Sequence, residues 1–332
     1  MSLQDVLAAL ANFFRGLFNP KSQAPNVPAG GPPAPVHRKV SLIIFNPSIP
    51  SEGGRKLADV MNWSSADDLA AGFIGDLQTT SAGYANFEIV ERNEVDRFPI
   101  KQDKFLYNPD DFVHDLRTGT GFHQPDTTDY YTILKDFDVI NKINSGAIDE
   151  VWMFGFPYSG FYESRMVGPE AFWCNAPPII DIPNCSRRFI VMGFSHERGV
   201  GEMEESFGHR AEYILKQVFS SSAPVDNLWE RFIRCDKTSP GLAEVGSVHF
   251  APNSQVDYDW GNKTDVPSRC SNWYQFPDLS GAPVMVNCSE WGNGDIRGHH
   301  TWWLRHFPHI TGSMNGISFN WWDYVVDPNK VN

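Results

Sequence analysis

From Arg38 onward, short apolar runs of strand length alternate with stretches whose apolar residues recur every three or four positions. The run KVSLIIF at 39–45 is β-branched and apolar, and Asn46-Pro47 and Pro50 end it. Leu69, Phe73 and Leu77 recur every four residues behind Ser65, a helix-capping residue, which predicts a helix over 65–77. A second strand begins at 87–90. A helix is expected over 129–143, with Tyr130, Ile133, Leu134, Phe137 and Ile140 on one stripe. EVWMFGF at 150–156 and RFIVMGF at 188–194 read as a third and fourth strand, and a helix follows over 200–219. Strand and helix alternating in this way predict an α/β fold, a mainly parallel sheet with helices on both faces over residues 38–220. Function is then expected at the carboxyl ends of the strands. Past Phe219 the regularity gives way to an irregular Trp/His-rich C-terminal extension, 221–332, expected to pack on the core.

The first 37 residues are patterned differently. Leu3, Leu7, Leu10, Phe14 and Leu17 mark the apolar stripe of an amphipathic helix over 1–19, and residues 20–37 form a Pro/Gly-rich linker. A tethered helix of this length needs a surface to cover its stripe. With Arg15 as its one cation, docking on another copy or a partner protein is favoured over an anionic membrane.

Composition narrows the partners. The chain carries 40 acidic against 27 basic residues, a formal charge of −13, so nucleic acid is not expected. No apolar run is long enough to span a bilayer, and no signal peptide is recognisable, which suggests a soluble protein whose place can still be extracellular or on a cell surface. The five Cys make no C-x-x-C pair; Cys174 with Cys185 and Cys270 with Cys288 are the local disulfide options. Neither glycine-rich phosphate fingerprint follows the first strand, so no nucleotide cofactor is expected. Aromatic residues reach 14%, and eight of the 11 Trp lie beyond Phe219, which suggests the wall of a cleft over the sheet edge, suited to carbohydrate, a cationic ligand or a metal.

The helix over 200–219 carries the strongest chemical signal. Met203, Phe207, Ala211, Ile214 and Val218 gather on one side, and Glu202, Glu205, His209, Glu212 and Lys216 on the other. Glu205 and His209, four apart, can converge on one ion, as the two histidines of H-E-x-x-H do. Glu202 can serve as general base. Four of the ten His (His299, His300, His306 and His309) fall within eleven residues, and a helix over 299–307 aligns His299 and His306 on one face. Glu205, His209, His306 and His299 are therefore candidate ligands of a divalent metal, Zn, Mn or Fe. Glu202, Glu163 and Arg165 are candidate catalytic residues, with Arg165 or Arg210 as substrate or oxyanion anchor. The same His-rich segment can instead be a structural seam whose imidazoles bond backbone carbonyls. Ser195 in G-F-S-H-E sits where a nucleophile elbow would, although Glu197 replaces the second glycine. Two of Glu163, Glu197, Glu202 and Glu205 can also be read as a glycosidase pair. Asp257 and Asp259 have a faint calcium-loop look, better read as a turn.

The segments DEVWMFGFPYSGFYESRM (149–166), AFWCNAPP (171–178), MGFSHERGVGEMEESFGHRAE (192–212) and NWWDYVVDPN (320–329) resemble a family of uncharacterised, mostly bacterial proteins, over residues from about 38 to 332. The resemblance implies one unit over that range and supplies no catalytic residue. The expected function is a metal-dependent hydrolase of a peptide, amide or glycan-type substrate, with its site between the 200–219 helix and the 298–309 segment. The alternative is a non-enzymatic, self-assembling or ligand-binding surface protein that uses the N-terminal helix as a docking arm.

Overall fold

The computed structural model describes residues 30–223 and 227–331. The expected helix over 1–19, with Leu3, Leu7, Leu10, Phe14 and Leu17, lies outside the described residues, as does most of the linker. The centre is a five-stranded sheet built from β1 (Val36–Phe45), β2 (Ala85–Val95), β3 (Glu150–Gly155), β4 (Ser164–Val167) and β5 (Phe189–Ser195), in the order β2-β1-β3-β5-β4. All neighbours run parallel except β4, which closes one edge antiparallel to β5. The fold is thus mixed α/β with mostly parallel strands. The first strand starts at Val36, two residues before the expected boundary, where Val36 pairs with Ala85.

Alternation along the strands divides the apolar residues between two clusters. Val40, Leu42 and Ile44 of β1, Trp152 and Phe154 of β3, and Ile190 and Met192 of β5 enter one, together with Phe73 of α1 (Ala66–Thr80) and Phe207 of α5 (Val200–Val218). Ile43, Phe45, Val151, Met153 and Val191 enter the other. There they join Phe112 of α2 (Pro109–Thr118), Ile133 of α3 (Tyr130–Asp136) and Val139 of α4 (Val139–Ser145). Ser65 caps α1 as its sequence suggests, accepting from the Asp68 N–H. The single helix expected over 129–143 is two helices, parted at Asp138, whose φ is 51°. Tyr130 and Val139 are nine residues apart, about 180° around one helix, so a continuous helix could not bury both. The break at Asp138, a residue type that tolerates the left-handed region, lets both face the sheet.

The last third packs against α5. It adds α6 (Leu228–Phe232), α7 (Ile296–Arg305), α8 (Trp322–Val326) and two small two-stranded sheets. All eight Trp beyond Phe219 are buried, none more than 9% exposed, so they form core and not a cleft wall. Their indole N–H groups explain how polar-tipped rings are tolerated there: Trp303 donates to the Gly246 carbonyl at 2.9 Å, Trp291 to Trp260 at 2.8 Å and Trp273 to Glu244 at 3.0 Å. The tryptophans crowded near the histidines thus extend the core cluster that already holds Trp152, Phe73 and Phe207. The five cysteines are all free thiols, against both local pairings. No helix among the described residues is long and apolar enough to cross a membrane.

Candidate metal centre

Helix α5 is polar on one side because that side faces a cleft at the carboxyl ends of β3 and β5. The cleft, about 290 Å³, is lined by residues 156–161, Glu163, Ser195, Glu197, Arg198, Glu202 and Glu205 among others. Glu205 and His209 project from successive turns of the same face, as their spacing requires. Opposite them, the irregular segment after α6 delivers His249. Its approach depends on Gly208: a Cβ there would meet the Val248 side chain at 2.6 Å. Glu212, one turn beyond His209, accepts the Val248 N–H at 3.0 Å and so ties the segment to the helix.

Three ligand atoms converge. His249 Nε2 stands 3.1 Å from Glu205 Oε1 and 3.1 Å from His209 Nε2. Glu205, His209 and His249 thereby form a group able to hold a metal ion. On the far side of the rings, His209 Nδ1 hydrogen-bonds Glu212 Oε2 at 3.0 Å, while His249 Nδ1 has the exposed Asp257 carboxylate 3.2 Å away as a charge partner. The Nδ1 hydrogen of His209 thus points to a carboxylate, and its Nε2 lone pair meets His249 Nε2, whose own hydrogen-bond partner is Glu205. That contact is repulsive unless an electrophile sits between them, either a proton or a metal cation. Carboxylate behind imidazole is also the arrangement that orients metal-ligating histidines.

The surrounding charges favour the protonated rings, so a metal ion would bind here in competition with protons. Burial pulls His209 down, but its hydrogen bond to Glu212 and the nearby carboxylates outweigh it and raise its pKa. The bond to Glu205 raises His249 against the opposing effect of burial. Burial pushes Glu205 up, and its bond to His249 with the charges of the surrounding histidines brings it below the usual range. Across the cleft, burial raises Glu163, whose carboxylate accepts from Asn175 Nδ2.

The expected ligands His299 and His306 lie elsewhere. Both are fully buried on or beside α7, where His299 stacks on Trp260 at 5.2 Å and His306 Nδ1 bonds the Trp302 carbonyl at 2.7 Å. Burial holds His299 well below its ordinary value and brings His306 down to about 4. Neither belongs to the convergent group, which takes His249 from a loop instead. Arg165 donates to the Pro177 carbonyl at 2.7 Å and lies over the Tyr130 ring, away from the cleft lining. Arg210 is fully buried and grips Glu150 through two bonds of 2.9 Å, so it cannot anchor a substrate. Glu202 lines the cleft but spends one oxygen on the Gly199 N–H at 2.9 Å, closing the first turn of α5. Ser195 Oγ accepts from the Glu197 N–H, while the neighbouring His196 ring turns to the Ser64 carbonyl, so the elbow has no base beside it. Asp257 stands 3.2 Å from His249 Nδ1 as a charge partner, and Asp259 holds a turn through Gln255 and Asn262.

Compared with protein-family models, curated proteins and solved structures, the chain matches none. Residue roles therefore rest on geometry alone.

Proposed function

We propose that Glu205, His209 and His249 hold one divalent ion, Zn, Mn or Fe, and that the protein is a metal-dependent hydrolase working in the adjoining cleft. The observation that carries this reading is the meeting of two imidazoles, one of them backed by Glu212, and the Glu205 carboxylate at a single point. Two His and one Glu are a catalytic zinc set, because three protein ligands leave a position open. Such an ion lowers the pKa of a bound water and polarises an acyl oxygen. The chain's own residues supply the rest. Glu205 presents the site to the cleft. Glu163, on the same cleft and raised by burial, is suited to carry a proton between water and leaving group. Arg198, the one cation among the lining residues, is suited to steer a neutral carbonyl.

Metal analysis tests the reading. Purified protein, dialysed against trace metal, is expected to retain close to one equivalent of a transition metal, and Glu205→Ala or His209→Ala to lose it. Wild-type protein that retains none, or variants that retain as much as wild type, would sink the proposal. An assembly role for residues 1–19 rests on their apolar stripe alone; deleting residues 1–36 should lower the mass seen by light scattering, and an unchanged mass removes that role.

A further inference from the structure

Two aromatic side chains, Tyr158 in the cleft lining and Tyr258 against His249, have a backbone conformation that their bulk opposes. Tyr158 has φ 63° and Tyr258 φ 61°, and they are the only aromatic residues among the described non-glycine residues with positive φ. Asn and Gly take such positions with less strain, and a bulky residue there is a true outlier. Neither ring repays that strain by core burial, since Tyr158 is 41% and Tyr258 52% exposed. Strain of this kind gathers where a ligand is gripped.

Both rings are also braced. Tyr158 is the third residue of a turn closed by Ser159 N–H donating to the Phe156 carbonyl at 3.0 Å, a turn that calls for positive φ. The fully buried ammonium of Lys101 holds the Tyr158 carbonyl and bonds the Asp126 carbonyl at 2.7 Å. The Tyr158 ring stacks on Phe122 with 13° between planes. Tyr258 leans on His249, its ring 4.3 Å away, and meets Trp260 edge-on. That contact with His249 sets Tyr258 beside the Glu205, His209 and His249 group.

From these observations we infer that Tyr158 and Tyr258 are stacking platforms for an acylated sugar, whose acyl carbon is presented to the Glu205, His209 and His249 centre. This rests on the metal reading above. An anionic substrate is disfavoured, because Glu163, Glu197, Glu202, Glu205 and Asp126 line the cleft against Arg198 alone. An extended peptide finds no free strand edge there, since β5 is paired on both sides. Aromatic faces with acidic acceptors suit the apolar C–H face and hydroxyl rim of a neutral pyranose. The step is a hydrolysis without redox change. Water oxygen bonds to the acyl carbon, the acyl–N or acyl–O bond breaks, and a proton from the water passes to the leaving amine or hydroxyl.

The test uses the full chain loaded with zinc, with its metal content measured on every sample. The probe is the N-acetylglucosamine tetramer, followed by titration calorimetry and by release of acetate. Saturable binding is expected for wild type, weakened about tenfold or more by Tyr158→Ala, with Tyr158→Phe binding within about twofold of wild type, since the ring face is kept. Tyr158→Gly relieves the backbone and should raise the melting temperature while losing binding, so its loss cannot be blamed on misfolding. Cellotetraose, which has the rings without the acyl groups, should bind without turnover. If zinc is retained but the tetramer does not bind, or binds Tyr158→Ala and Tyr258→Ala as well as wild type, the substrate assignment falls and the metal reading stands. Binding of an N-acetylated Lys-rich peptide in place of the tetramer also overturns it. If zinc is not retained, the metal reading fails by itself.

Discussion

The two groups of histidine in this molecule share a residue type and little else. His209 and His249 are partly exposed, each with one ring nitrogen beside a carboxylate and the other turned toward a common point at a cleft. His299, His300 and His306 are fully buried among indole rings and backbone, and both ring nitrogens of His299 and His300 lack a partner. An imidazole becomes a ligand through what stands behind it, since a carboxylate on one nitrogen fixes the lone pair on the other. Local density of histidine, by contrast, says only that the segment is rich in flat, half-polar rings that stack well on tryptophan.

This contrast can be broken most directly by removing a ring from each group. His249→Ala should cut zinc affinity by well over 100-fold, more than the loss expected for a residue behind the ligands, whereas His306→Gln should leave affinity unchanged; isothermal titration with zinc reads both. Equal losses would mean the two groups are not distinct in function. A smaller effect sharpens the role of the carboxylates. Glu212→Gln and Asp257→Asn keep shape but lose charge, and each should weaken zinc by roughly 10–100-fold. Unchanged affinity in both would show that the rings need no orienting partner.

The third expectation moves stability and leaves the metal alone. His306 takes a proton only near pH 4 in the folded chain, against about 6.5 when unfolded. Between those values the unfolded state binds more protons, so stability falls as pH drops through that window. From pH 7 to 5 the loss attributable to this ring is roughly 2 kcal/mol. Urea unfolding at the two pH values should show a shallower drop in His306→Gln than in wild type; an identical drop would remove His306 as its source. His209, whose pKa is raised, has the opposite sign: its contribution is complete below its unfolded value and fades as pH climbs past its folded one.

Much of the sheet was legible because its strands alternate or run apolar to a definite stop, as at Asn46-Pro47, and because Ser65 announces α1. Half of the site was legible for the same reason: the spacing of Glu205 and His209 is fixed by the helix that bears them. His249 and Asp257 were not, because they sit in irregular chain whose path is set by Gly208, Glu212 and the Val248 amide, contacts that no periodicity encodes. Helix α2 carried its signals in plain form, with Asn108 accepting from Asp110 and Asp111, Pro109 in the first turn and Gly119 at φ 73° beyond the last. Its apolar stripe is too thin to draw notice. Arg210 lies on the apolar face of its helix, between Phe207 and Ile214, which marks it as inward-facing, but its partners Glu150 and Val325 are far away in the chain and no local spacing names them.

Arg210 also sets an order of events. It joins Glu150 at the start of β3 to the Val325 carbonyl, a residue 115 positions later in the chain. A ribosome adding 5–20 residues per second covers that distance in roughly 6–23 s. Glu205 and His209 on α5, and His249 on the loop that follows, all emerge before Val325, while α5 is not yet fastened through Arg210. An ion that arrives then is chosen by ligand softness, and one that arrives afterwards is chosen by geometry as well. For the proposed centre, the moment of loading, early or late in the life of the chain, would thus be part of how an ion is selected.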